Sequence, residues 1–283
     1  MPEEIPQTSL RIAVAQSTVR EDPTDVAGLH ASAEEVRRFM TEAAEAGARL
    51  VHFSEGALCF PSKVVMSELG PDEVGPSDWS KAEWAVLQEE LDRIVALSGE
   101  LGIWTVIPSV HQLPAPARPY NSMYVVSDQG KLISRYDERR LSTTKVSFMY
   151  SEGDQPVTFD VEGWRFGLAL GLDMLFPEIF TEYDRLEVDA VLASYASVGV
   201  SRNAQVGVQA RGAAANTTCW VSIATAANPG SGLESGVIDP RGDWVAEGPA
   251  SGTPALVMAE LQRDDTTQLG RDFRRRTRER VSS

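Results

Sequence analysis

The chain has 283 residues, 42% of them hydrophobic and 24% charged, with a net charge of −15 and a pI near 4.7. That length suits one large α/β domain, and that charge sets the overall field against nucleic acid. No apolar run approaches the ~20 residues of a membrane helix. The opening "MPEEIPQTSL" lacks the basic n-region of a secretory signal, so neither membrane nor export is expected and the cytoplasm is the default location.

The elements follow from periodicity and punctuation. "LRIAVAQ" (10–16) reads as a strand. Residues 28–46 place Val36, Phe39, Met40 and Ala43 on one helical face, and Gly47 ends that helix. "ARLVHFSE" (48–55) is a second strand, 79–101 one long helix, and "GIWTVIPSV" (102–110) a third strand. "YNSMYVVSDQGKLISRYD" then reads as a hairpin about Asp-Gln-Gly, and "VTFDVEGWRFGLALGLD" as another about Glu-Gly. "FPEIFTEYDRLE" is a short helix with Pro177 in its first turn. A strand (188–196), a helix (202–217), a strand (219–225), a hairpin (235–248) and a last strand (254–261) complete the order. βα units alternating with hairpins exclude a pure Rossmann sheet and a TIM barrel and point to mixed sheets covered by helices. The expected organisation is one domain over 1–283, with 265–283 as a basic arm whose arginines pair with acidic surface of the same chain or of a neighbouring subunit.

Cys59 and Cys219 sit in apolar stretches and make no disulfide framework. His30, His52 and His111 lie far apart without ligand spacing, so no metal or cofactor is expected. Only four of the 26 basic residues are lysines: Lys63, Lys81, Lys131 and Lys145.

Six stretches, in order, carry a resemblance: "LRIAVAQ", "LVHFSEGALCF", "NSMYVVSDQGKLISRYDERRL", "WRFGLALGLDMLFPE", "VDAVLASYA" and "SGVIDPRGDWVAE". Together they resemble the nitrilase, or carbon–nitrogen hydrolase, superfamily over about residues 10–275. The resemblance implies a four-layer α-β-β-α sandwich with two mixed β-sheets flanked by helices, and pairing into a homodimer or higher homo-oligomer. It also implies a cysteine nucleophile, a glutamate general base and a lysine that stabilises developing charge.

Carried over residue by residue, the glutamate falls on Glu55, the lysine on Glu138 and the cysteine on Gly171. The chain is thus similar to a member that has lost two of the three groups. Lys145 lies just before the "SEGD" turn, where many such enzymes carry a second glutamate, so the family's lysine and glutamate are exchanged as Glu138 and Lys145. Asp173, Tyr195, Ser197 and, more weakly, Cys59 are candidates to line a ligand site, while Arg211 reads as a structural ion-pair residue.

Three functions compete. The first is a non-hydrolytic ligand-binding or scaffold homologue. The second is an enzyme that uses Glu55, Glu138 and Lys145 for acid–base chemistry on a nitrogen-containing metabolite, with the space freed by Gly171 admitting a bulky substrate. The third is an amidase or nitrilase with Cys59 as substitute nucleophile. A carboxylate-rich pocket favours a small amine- or amide-containing ligand.

Overall fold

The computed structural model describes residues 8–196 and 200–281. The first sheet takes β1 (Ser9–Gln16), β2 (Leu50–Phe53), β3 (Trp104–His111), β4 (Tyr120–Val126) and β5 (Leu132–Asp137). The second takes β6 (Thr158–Val161), β7 (Trp164–Leu170), β8 (Ala190–Tyr195), β9 (Trp220–Thr225), β10 (Gly236–Ile238) and β11 (Trp244–Glu247). β12 (Ala255–Gln262) returns to the first sheet, and the strand orders are β12-β1-β2-β3-β4-β5 and β11-β10-β9-β8-β7-β6. Each sheet runs through the same series of pairings from its β12 or β6 edge: antiparallel, parallel, parallel, antiparallel, antiparallel. The chain is therefore built from two matching halves, which no sequence repeat announces.

Strand periodicity assigns the faces. In β1, Leu10, Ile12 and Val14 join Phe166, Leu168 and Leu192 in the core between the sheets. Ala13 and Ala15 face outward to the core under α1 (Val26–Glu45) and α2 (Trp84–Leu101). The outer face of the second sheet packs on α3 (Pro177–Arg185) and α4 (Val200–Thr217) through residues such as Phe180, Tyr183 and Val206. The layers are thus α-β-β-α, with two mixed sheets flanked by helices.

Three expectations shift. The long helix over 79–101 is a 3₁₀ turn, Trp79–Lys81, followed by α2, because Asp78 caps the turn by accepting from Ser80 N–H and the chain is extended at Ala82. The strand carrying residue 171 ends at Leu170, and a 3₁₀ turn over Gly171–Leu175 follows. The basic arm is a helix, α5 (Asp265–Val281). Arg263 and Arg271 bond Asp189, and Arg274 and Arg278 bond Asp184, so the arginine pairs lie within the chain. Among the described residues no helix is long and apolar enough to cross a membrane.

Candidate active site

The C-terminal ends of β2, β5, β7 and β8 converge, as strand ends do around sites in parallel sheets. Glu55 lies two residues past β2, Glu138 directly follows β5, and Gly171 directly follows β7. Lys145 opens a single π-turn, Lys145–Met149, closed by the Tyr150 N–H to Lys145 C=O bond at 2.9 Å. Single π-turns of this kind frequently carry functional residues. The structure brings Glu55, Glu138, Lys145 and Gly171 together.

Three of them, Glu55, Glu138 and Lys145, form a closed hydrogen-bonded square with Asn121. Lys145 Nζ donates to Glu55 Oε1 (2.7 Å) and Glu138 Oε2 (2.6 Å). Asn121 Nδ2 donates to the same two oxygens at 2.9 and 2.7 Å. The remaining oxygens accept backbone N–H groups: Ala196 on Glu55 Oε2 at 3.0 Å and Leu172 on Glu138 Oε1 at 3.1 Å. Every carboxylate oxygen is satisfied, as buried charge requires.

The space expected to be free beside Gly171 is occupied. A Cβ at this glycine would lie 2.3 Å from Glu138 Oε1 and 3.1 Å from Lys145 Nζ. The glycine also has φ +57°, a conformation other residues rarely adopt. The expectation of a pocket widened by Gly171 is therefore overturned: the side chain of Glu138 fills it.

Electrostatics follow from burial. Burial pushes Glu138 up to about 7; Lys145 pulls the other way and the Glu55 charge adds to the rise. Lys145 is disfavoured as a cation by burial, but the two carboxylates outweigh this and raise it above its ordinary value. The ammonium stays charged, and Glu138 is held above its ordinary carboxylate range.

The weaker candidates lie elsewhere. Asp173 spends its oxygens on the Tyr136 hydroxyl (2.6 Å) and the N–H groups of Arg140 (2.9 Å) and Leu170 (3.1 Å), fixing the turn after β7. Tyr195 is buried in the core between the second sheet and its helices. Cys59 is packed in the core beneath α1 and α2, where burial pushes its thiol up to about 12, far from the thiolate a nucleophile needs. Cys219, beside Thr217, is pushed up to about 11. Arg211 donates to Gly242 C=O at 2.6 Å and pairs with Asp243. Ser197 lies outside the described residues.

Sequence reasoning missed the role of Asn121. Its signal was the hairpin register: Ser122 pairs with Asp137, which sets Asn121 beside Glu138, whose N–H donates to Asn121 C=O at 2.8 Å. It also missed the inter-sheet link behind the site. Ser194 donates to Phe53 C=O (2.7 Å), so it accepts from His52 Nε2–H (2.9 Å), and Nδ1 accepts from Ser222 (3.1 Å). Burial lowers His52 to about 3, keeping it neutral.

A surface cleft of ≈ 300 Å³ adjoins the cluster through Lys145, with Phe60, Lys63, Met149 and Tyr150 also among its lining. No cluster of metal-ligating side chains occurs among the described residues.

Comparison with known proteins agrees with this architecture. The chain is 27% identical to Hydrolase Rv0480c of Mycobacterium tuberculosis, covering 90% of each protein. It is also 27% identical to the omega-amidase NIT3 of Saccharomyces cerevisiae, over 52% of this chain and 55% of that one. The crystal structure of an amidase from Nesterenkonia sp. superposes with a TM-score of 0.73 at 18% identity, over 94% of this chain and 97% of that one. A cysteine-to-alanine mutant of the same amidase gives 0.74 at 19% identity, over 97% and 99%. The family profile described as "Carbon-nitrogen hydrolase" matches residues 11–271, and the chain belongs to that family.

Proposed function

We propose that this chain binds a small molecule without cleaving it through a covalent intermediate. The observation that carries this reading is the Glu138 carboxylate, which occupies the side-chain space of residue 171 and takes the Leu172 N–H and the Lys145 ammonium for itself. Among the described residues no thiol stands at the convergence of the strand ends, and Glu138 Oε1 already accepts the Leu172 N–H. Where catalytic residues act as a unit, losing the nucleophile alone costs ~10⁶ in turnover. The described thiols give no substitute, since both are buried and held protonated.

The test is ammonia release from a panel of primary amides, with Glu55→Gln as control. The expected result is no release above buffer. Release that the Glu55→Gln change abolishes would contradict the reading.

A second reading rests on one observation: Glu138, at about 7, can exchange a proton at neutral pH. It competes poorly, because Glu55 and Glu138 are both buried and engaged on every oxygen. A non-hydrolytic activity that disappears in Glu138→Gln would favour it; one that survives would exclude it.

A further inference from the structure

We propose that the cleft adjoining the cluster binds a small monocarboxylate with an apolar body, its carboxylate bridging Lys63 and Lys145. The inference rests on the non-cleaving reading and names the ligand class for the same site.

The polar groups of the cleft are arranged asymmetrically. Glu55 and Glu138 are not among the residues that line the cleft, and their oxygens are fully engaged. Lys145 is the member of the cluster that lines the cleft, its side chain 11% exposed. An ammonium carries three donors, and two of them are spent on the carboxylates. The third is left for a ligand oxygen, beside the Tyr150 ring whose centre lies 5.9 Å from Nζ.

Lys63 supplies the second contact. It lines the same cleft and makes no hydrogen bond or ion pair to a described residue. Partial burial and the neighbouring Lys145 both lower its pKa, while Glu55 and Glu138 oppose them. A carboxylate seated between the two ammonium groups would relieve the poor solvation and the mutual repulsion together. A cation placed there would meet both lysines at close range.

Phe60, Pro61, Val64, Val74 and Met149 give the cleft an apolar wall, with Ser62 and Glu21 as further polar lining. A cleft of ≈ 300 Å³ lies at the small end of the range of ligand sites and suits a body about the size of a phenyl ring. Among the described residues Glu21 is the one acidic side chain lining the cleft, and it opposes an anion. Its presence gives the test a sign, because Lys63 and Glu21 act in opposite directions on any charged ligand.

The experiment is calorimetric titration of the full chain with three probes that share one body: phenylacetate, phenylacetamide and 2-phenylethylamine. The expected order places phenylacetate at least tenfold tighter than the other two. Lys63→Met, an exposed position that leaves the fold alone, should weaken phenylacetate at least tenfold and phenylacetamide little. Glu21→Gln should hold or tighten phenylacetate. Tighter binding of the amine, an unchanged phenylacetate affinity in Lys63→Met, or binding of none of the three overturns the proposal. Ammonia release from phenylacetamide would contradict the non-cleaving reading, and the head-group preference is read separately from it.

Discussion

At the scale of residues the site is decided by one exchange of volume. Gly171 is required because Glu138 Oε1 stands 2.3 Å from its would-be Cβ and because its φ is +57°. Gly171→Ala should therefore cost about 2–5 kcal/mol, combining ~1–2 for the left-handed backbone with ~1–3 for overpacking. In a Glu138→Ala background the steric part vanishes, so a denaturant double-mutant cycle should show coupling of ~1 kcal/mol or more; additive effects would contradict the packing. Glu138 also gives a pH signature. Its folded value of about 7 exceeds its ordinary 4.5, so between these values the folded state holds a proton that the unfolded state has released. Wild type should accordingly lose stability relative to Glu138→Gln as pH rises from about 4.5 to about 7, at a slope of up to ~1.4 kcal/mol per pH unit. Parallel stability curves would refute it. Comparing with the variant cancels His52, whose lowered value acts in the opposite sense: its contribution is lost as pH falls from 6.5 toward about 3.

At the scale of elements, strand ends and one π-turn place the charges, and α5 shows how a helix can dock without an apolar face. Leu269 and Phe273 of α5 are exposed, while its arginines reach the body. Asp189 accepts from Arg165 N–H, Arg263 and Arg271. Asp189→Ala should destabilise by about 2 kcal/mol, below the ~3–5 of a fully buried pair because the arginines are partly exposed. Limited proteolysis should then cut α5 first, and more readily at high salt; an unchanged digestion pattern would argue against the ion-pair docking. The same chemistry explains why α5 was read only as a basic arm: a helix held by guanidinium groups has no apolar period to detect. The strands, by contrast, were legible because their alternating apolar residues are what packs, as in Leu10, Ile12 and Val14 of β1. The 79–101 helix was read too long because its break depends on the Asp78 cap and the extended Ala82, not on hydrophobic period.

At the scale of the whole molecule, two sheets with matching pairings face each other, and the site lies where strand ends from both meet. His52, Ser194 and Ser222 tie β2 to β8 and β9 just behind Glu55, holding its partner Ala196 N–H in register. Glu55, Glu138 and Gly171 could be read from the chain because each follows a strand with a recognisable pattern. Lys145 could be placed by its distance from the "SEGD" turn, but its contacts depend on a π-turn that leaves no mark in the sequence. Asn121 and the filling of the space at Gly171 depend on which strand ends meet, a property of the assembled sheets that local pattern does not encode. The non-cleaving function proposed above rests on the ion-pair cluster that fills this convergence. The decisive measurement is intact-protein mass spectrometry after incubation with fluoroacetamide, whose acetamide moiety is added to the active-site cysteine in a mutant of the Nesterenkonia amidase. The account predicts an unchanged mass for the native chain; an acetamide adduct on Cys59, formed without unfolding, would contradict it.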